Sequence, residues 1–192
     1  MTLPEQLAAA IERYETNDNL GTLFDEVRAL AKTADLDALV AASEPFRDRA
    51  EIVIPVYEHV VDQRPNDARA LVVLANAYWL SGRGPDVVGE LANRARAADP
   101  QNRAAWHLWA LAESSVRSRL ERWQQVADCF PEDQLARAAL ADNAASLAGA
   151  EHDPLALALA IRTYEGLWQE APTPTQRRAL EQTLETLRAW KL

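Results

Sequence analysis

Four prolines punctuate this chain where helices have to stop. Pro65-Asn66-Asp67, Pro100-Gln101-Asn102, Pro131-Glu132-Asp133 and Pro172-Thr173-Pro174-Thr175 follow one another at 35, 31 and 41 residues. Proline lacks an amide hydrogen, and its ring clashes with the preceding turn, so it cannot continue a helix. An Asp, Asn or Thr just after it can accept from the free amides of a new helix. Each mark therefore reads as a helix stop followed by a helix start.

The segments before the marks share a register. Val53, Tyr57 and Val60 precede Pro65, Val88, Ala92 and Ala95 precede Pro100, and Ala160, Tyr164 and Leu167 precede Pro172, always at 12, 8 and 5 residues. That is one helical face, i, i+4, i+7. Before Pro131 the pattern is looser, with Trp123, Val126, Ala127 and Phe130. After the marks come partner helices. Leu71, Leu74, Ala75 and Tyr78 share offsets with Trp106, Trp109, Ala110 and Glu113, and Leu140, Ala141 and Ala144 fill the third place. Small residues at Ala75, Ala110 and Ala141 predict close helix approach.

The 192 residues suit one domain or a short array, and an Ala- and Leu-rich composition with six glycines favours helix over strand. A net charge of -9 opposes binding to phosphate backbones, so no nucleic acid is expected as a partner. One cysteine cannot form an internal disulfide. No basic leader and no long apolar segment occur, which predicts a cytoplasmic protein without a membrane partner. At the start, Thr2-x-x-Glu5 forms a capping box ahead of Leu3, Leu7, Ile11 and Tyr14. A second helix is expected over 22–33, with Leu23, Phe24, Val27 and Leu30 inward. At the end, Leu180, Leu184 and Leu187 give a helix with one apolar and one charged face, as a terminal cap requires. Pro55 in IVIPVYEHVV reads as an early-helix proline, within the first turn or just after it, if that helix starts near Ala50 or Glu51, the alternative being a long helix from Phe46 kinked at Pro55.

The stretch from Ala68 to Asn102 resembles a tetratricopeptide repeat, a 34-residue helix-turn-helix with a W-x-x-L-G-x-x-Y helix, an A-x-x-x-F-x-x-A helix and a closing proline. Leu71, Leu74, Ala75 and Tyr78, then Val88, Ala92, Ala95 and Pro100, stand in those places, with one extra residue near Gly84. The resemblance covers residues 34–172 with declining quality. The unit ending at Pro131 is about three residues short and carries Glu113 in the tyrosine's place, and the unit ending at Pro172 is about seven long, the excess falling in 148–153. The resemblance implies an all-α fold, a right-handed superhelix of antiparallel helix pairs with ten or eleven helices. Its divisions would be N-terminal helices at 1–33, repeats at 34–67, 68–102, 103–133 and 134–174, and a C-terminal capping helix at 175–192.

No catalytic constellation is present. His59, His107 and His152 are scattered, and neither HExxH nor a Cys pair occurs, so no metal or other cofactor is expected. Gly82-Arg83-Gly84 reads as a turn. Cys129, beside Val126 and Phe130, reads as buried and inert. Arg94, Arg96, Arg117, Arg119 and Arg122 read as solvated helix faces, with a patch for an acidic partner as the alternative. Of the six tryptophans, Trp106, Trp109, Trp123 and Trp168 fall at core positions and Trp190 caps the end.

In proteins similar to this family, the first helix of each pair lines a concave groove for a partner segment. The resemblance places Arg69, Val72, Asn76, Trp79 and Leu80 there, then His107, Leu111 and Ser115 in the next unit, and Asp142 in the third. Trp79 either faces the groove or packs on the preceding pair. Relatives that grip a chaperone's C-terminal carboxylate need a lysine where Val72 stands and an asparagine where Leu108 stands, so Asn76 alone does not make that receptor. The function implied is a non-enzymatic protein-binding scaffold. One alternative is an acidic chaperone or assembly subunit, a reading that a homodimer through the N-terminal helix would favour; the Leu3-Leu7-Ile11 face packs either on the chain's own helices or on a second copy. Another is an enzyme using His107 and Asp142.

Overall fold

The computed structural model describes residues 1–191, and these form eleven α-helices and one short 3-10 turn. In chain order the helices are α1 (Leu3–Asn17), α2 (Leu20–Thr33), α3 (Leu36–Ser43), α4 (Ala50–Gln63), α5 (Ala68–Leu80), α6 (Pro85–Ala98), α7 (Arg103–Leu111), α8 (Val116–Cys129), α9 (Gln134–Glu151), α10 (Pro154–Glu170) and α11 (Pro174–Arg188). The chain is therefore all-α, as its composition and periodicity predict.

The proline marks do what their chemistry requires. Helices α4, α6, α8 and α10 have their C-terminal caps at Arg64, Asp99, Phe130 and Ala171, each the residue just before a marked proline. A residue preceding proline is pushed out of the helical region, so the helix stops there. The next helix is then capped from within the same turn. Asp67 accepts from the Ala70 amide at 3.0 Å, Asn102 from Ala105 at 3.2 Å, Asp133 from Ala136 at 3.3 Å and Thr173 from Gln176 at 3.2 Å. Three of these turns close with the same backbone bond, Asp67 to Arg64, Asn102 to Asp99 and Asp133 to Phe130, at 2.9–3.1 Å. At the N-terminus the Glu5 carboxylate accepts from the Thr2 amide at 2.7 Å.

The helices divide into two compact units, residues 1–108 and 109–192. In the first, α4 is the hub and touches α2, α3 and α5. That is why its run Ile52 to Tyr57 is buried on every side, where a surface helix would show a stripe. α1 packs on α2 and α3, and α5 on α6. Leu7, Ala10 and Ile11 of α1 are buried by the chain itself. In the second unit α9 packs between α8 and α10, and α11 covers α10. Ala141, Ala144, Ala160, Tyr164, Leu167 and Leu184 build that core. Ala75, Ala110 and Ala141 are all fully buried, which is the close-packing role expected of them.

Pro55 lies just past the first turn of α4, at a position whose amide would have had an acceptor. α4 does start at Ala50, and the 3-10 turn at Glu44–Phe46 is separate from it. Pro55 is nevertheless the sixth helical residue, past the amides that lack acceptors, so the Glu51 carbonyl loses its partner. Its ring is fully buried in the hub. Length differences also fall differently from a loop insertion: α9 runs through Glu151, so the extra residues before Asp153 lengthen the helix, while α7 ends at Leu111.

Candidate functional site

α5 presents two opposite faces. Ala70, Leu71, Leu74, Ala75, Ala77 and Tyr78 are buried. On the other side Arg69, Asn76, Trp79 and Leu80 are exposed and Val72 is half-buried. Trp79 is 37% and Leu80 71% exposed, so Leu80 stands largely in solvent and Trp79 partly so, beside an asparagine amide on one helix. Arg69 reaches Glu44 at 3.4 Å, an exposed pair of little strength. These five expected site residues are thus brought together on one helix.

The others are placed differently. His107 is half-buried on α7 in the first unit. Leu111 ends α7 in the second unit and is 38% exposed. Ser115 lies beyond that helix and caps α8, its side chain accepting from the Ser118 amide at 3.4 Å. The helical register that assigned it to a groove face does not extend that far, because α7 stops at Leu111. Asp142 on α9 accepts from the Tyr164 hydroxyl. That bond and burial both raise the Tyr164 pKa, burial being the larger cause.

Three further expectations change. Cys129 is exposed, not buried. Trp123, Val126, Ala127 and Phe130 centre the apolar stripe of α8, and Cys129 lies roughly 110° around the helix from that centre. Only Trp123 of the four core tryptophans is buried; Trp106, Trp109 and Trp168 are half-buried. Each of those three carries a guanidinium over its ring: Arg96 at 4.0 Å from the Trp106 centroid, Arg122 at 4.7 Å from Trp109 and Arg177 at 5.9 Å from Trp168. The arginines of the middle segment are therefore largely committed. Arg122 also pairs with Glu113 at 2.7 Å, Arg119 donates to Asn143 at 2.8 Å, and Arg117 pairs with Glu151. Trp190 is 38% exposed, with its ring edge 3.5 Å from where a Cβ on Gly149 would stand.

One feature of the first unit has no signature in the residue spacing. Glu58 of α4 accepts from the Tyr78 hydroxyl of α5 at 2.8 Å and pairs with Arg28 of α2 at 3.2 Å. Burial first, then the Glu58 bond, pushes the Tyr78 pKa up to about 12. Glu58 and Tyr78 line an open cleft of about 440 Å³ that α4, α5 and α6 share. Among the described residues no cluster of His, Cys, Asp or Glu is placed to hold a metal ion, and no helix is long and apolar enough to cross a membrane.

No family model matches the sequence, and no curated protein matches it. Solved structures do match. A crystal structure of MamA is 14% identical, covers 84% of this chain and 96% of its own, and superposes with a TM-score of 0.62. A MamA RS-1 ArsTM double mutant is 16% identical over 94% of this chain and 96% of its own, with a TM-score of 0.57. TTC0263, a thermophilic TPR protein from Thermus thermophilus, is 15% identical over 98% of this chain and all of its own, with a TM-score of 0.54. Identities this low speak to fold alone. The helix pairs, their capped proline turns and these likenesses together give the chain a tetratricopeptide-like helical-repeat fold.

Proposed function

We propose that this protein is a non-enzymatic scaffold that holds a segment of a protein partner in a groove lined by the face of α5 that carries Asn76, Trp79 and Leu80. Trp79 and Leu80, exposed beside Asn76, carry the reading. Large apolar side chains displayed on a helix whose opposite face is locked in a core lose little freedom on binding, and tryptophan is enriched where interfaces concentrate their energy. Val72 and the buried Leu108 leave no lysine or second asparagine to grip a carboxylate terminus, so the occupant is an internal segment with apolar anchors. We read α3–α4, α5–α6, α7–α8 and α9–α10 as four repeat units within 34–174, with 1–33 as N-terminal helices and 175–192 as the cap. A dimer through α1 would favour the chaperone alternative; Leu7 and Ile11 are covered by the chain's own helices. An enzymatic reading has Asp142 already engaged by Tyr164.

The test is capture of partners by the wild type beside Asn76→Ala/Trp79→Ala, after both show equal helicity and melting temperature. A captured protein must then bind purified wild type directly. Loss of that binding in the double variant supports the α5 face; retention in both moves the site elsewhere.

A further inference from the structure

The cleft shared by α4, α5 and α6 lies on the other side of α5 from Asn76. Leu74 and Tyr78 each sit two residues from Asn76, about 200° around the helix, and both line the cleft. Its floor is apolar: Val61, Leu74, Tyr78 and Leu91 lie under it, each nearly buried, and Val87 at its edge is 44% exposed. Its rim is charged. Glu58 is already matched by Arg28 and by the Tyr78 hydroxyl. Asp62 and Glu90 enter no ion pair among the described residues; Asp62 accepts only from the neighbouring Gln63 amide. The cleft's own cation, Arg94, is held at the Pro65 end, where it donates to that carbonyl at 3.1 Å. Asp62 and Glu90 thus stand without an ion pair above an apolar floor, while Arg94 is held at one end and the Arg83 guanidinium lies over the Tyr78 ring, 4.7 Å from its centroid.

We infer that this cleft is a second docking site, taking a segment of a protein partner that presents an arginine or lysine next to apolar residues. The methylene stem of such a side chain lies along apolar surface while its head stays at a wet, charged rim. The head meets Asp62 and Glu90, and neither must give up an existing ion pair. An acidic segment would bring its charge toward the unpaired Asp62 and Glu90, so the cleft selects by sign as well as by shape. The site shares no exposed residue with the α5 face, so either can fail while the other stands.

The experiment selects short random peptides displayed on phage against the full-length protein. Enriched sequences are counter-tested against Asp62→Asn/Glu90→Gln, Asp62→Lys/Glu90→Lys and Asn76→Ala/Trp79→Ala. All four positions are exposed and lie outside the core, so the variants keep the fold, as equal melting curves would verify. The expected result is a class of peptides rich in Arg or Lys beside Leu, Ile or Phe. These should weaken about tenfold on the neutral variant, from two partly exposed pairs. They should lose detectable binding to the charge-reversed variant and bind Asn76→Ala/Trp79→Ala unchanged. Enriched peptides without basic residues, indifference to Asp62 and Glu90, dependence on Trp79, or no enrichment at all would each overturn the inference.

Discussion

The Tyr78 hydroxyl donates to Glu58 across 20 residues of sequence, at 2.8 Å. The bond ties α5 to α4, the hub of the first unit, and Arg28 of α2 completes it at 3.2 Å. The second unit repeats the device with Tyr164 and Asp142, one helix pair held together by a phenol and a carboxylate.

Tyr78→Phe should cost about 2 kcal/mol at neutral pH, the net worth of one hydrogen bond to a charged acceptor. The cost should depend on pH in a definite direction. The folded Tyr78 titrates near 12, against 10.0 for an unperturbed tyrosine. Its stabilisation is whole below pH 10, where both states hold the proton, and is lost as the pH rises through about 12. Urea midpoints of wild type and Tyr78→Phe should therefore converge across that range. A gap that widens with pH would contradict the assignment.

Ala141→Leu should destabilise the second unit by about 1–3 kcal/mol, because a fully buried alanine between packed helices leaves no room for a larger side chain. Ala138→Leu, three residues earlier and only half-buried, should cost less. Chemical denaturation of the two variants orders them, and an equal or reversed order would mean that α9 does not approach its neighbours through Ala141.

Helix ends were legible because their causes are local. The residue before Pro65 must leave the helical region, and Asp67 must cap, whatever the rest of the chain does. The paired registers of Val88, Ala92 and Ala95 likewise read straight into the buried face of α6. What escaped depends on residues distant in sequence. Nothing around Trp106 says that Arg96 will lie over its ring, and nothing around Glu58 names Tyr78. Ser115 lies beyond α7, because that helix stops earlier than the register of α5 implies. On the candidate face, the α5 residues are legible as one stripe because a single helix holds them.

Asp133→Ala should cost about 2 kcal/mol, the upper end for a lost helix cap, since Asp133 is only 5% exposed and accepts from both Leu135 and Ala136. Asp153 caps α10 in the same manner but is more exposed, so Asp153→Ala should cost less. Thermal midpoints compared at one pH check the order. Equal losses would mean that burial adds nothing to the cap.

Cys129 should react in the folded protein. It is the last residue of α8, and its thiol is exposed beside a buried stripe formed by Trp123, Val126 and Ala127. A disulfide reagent such as dithionitrobenzoate should titrate one thiol per chain without denaturant, since the sequence has one cysteine. Cys129→Ser should shift the urea midpoint by no more than about 0.5 kcal/mol in stability, as an exposed substitution does. A thiol that reacts only after urea is added, or a serine variant that loses several times that much, would return Cys129 to the core. Trp123→Ala offers the contrast: that ring is 6% exposed, and its removal should cost about 3–5 kcal/mol, so two positions six residues apart on α8 should behave as surface and core.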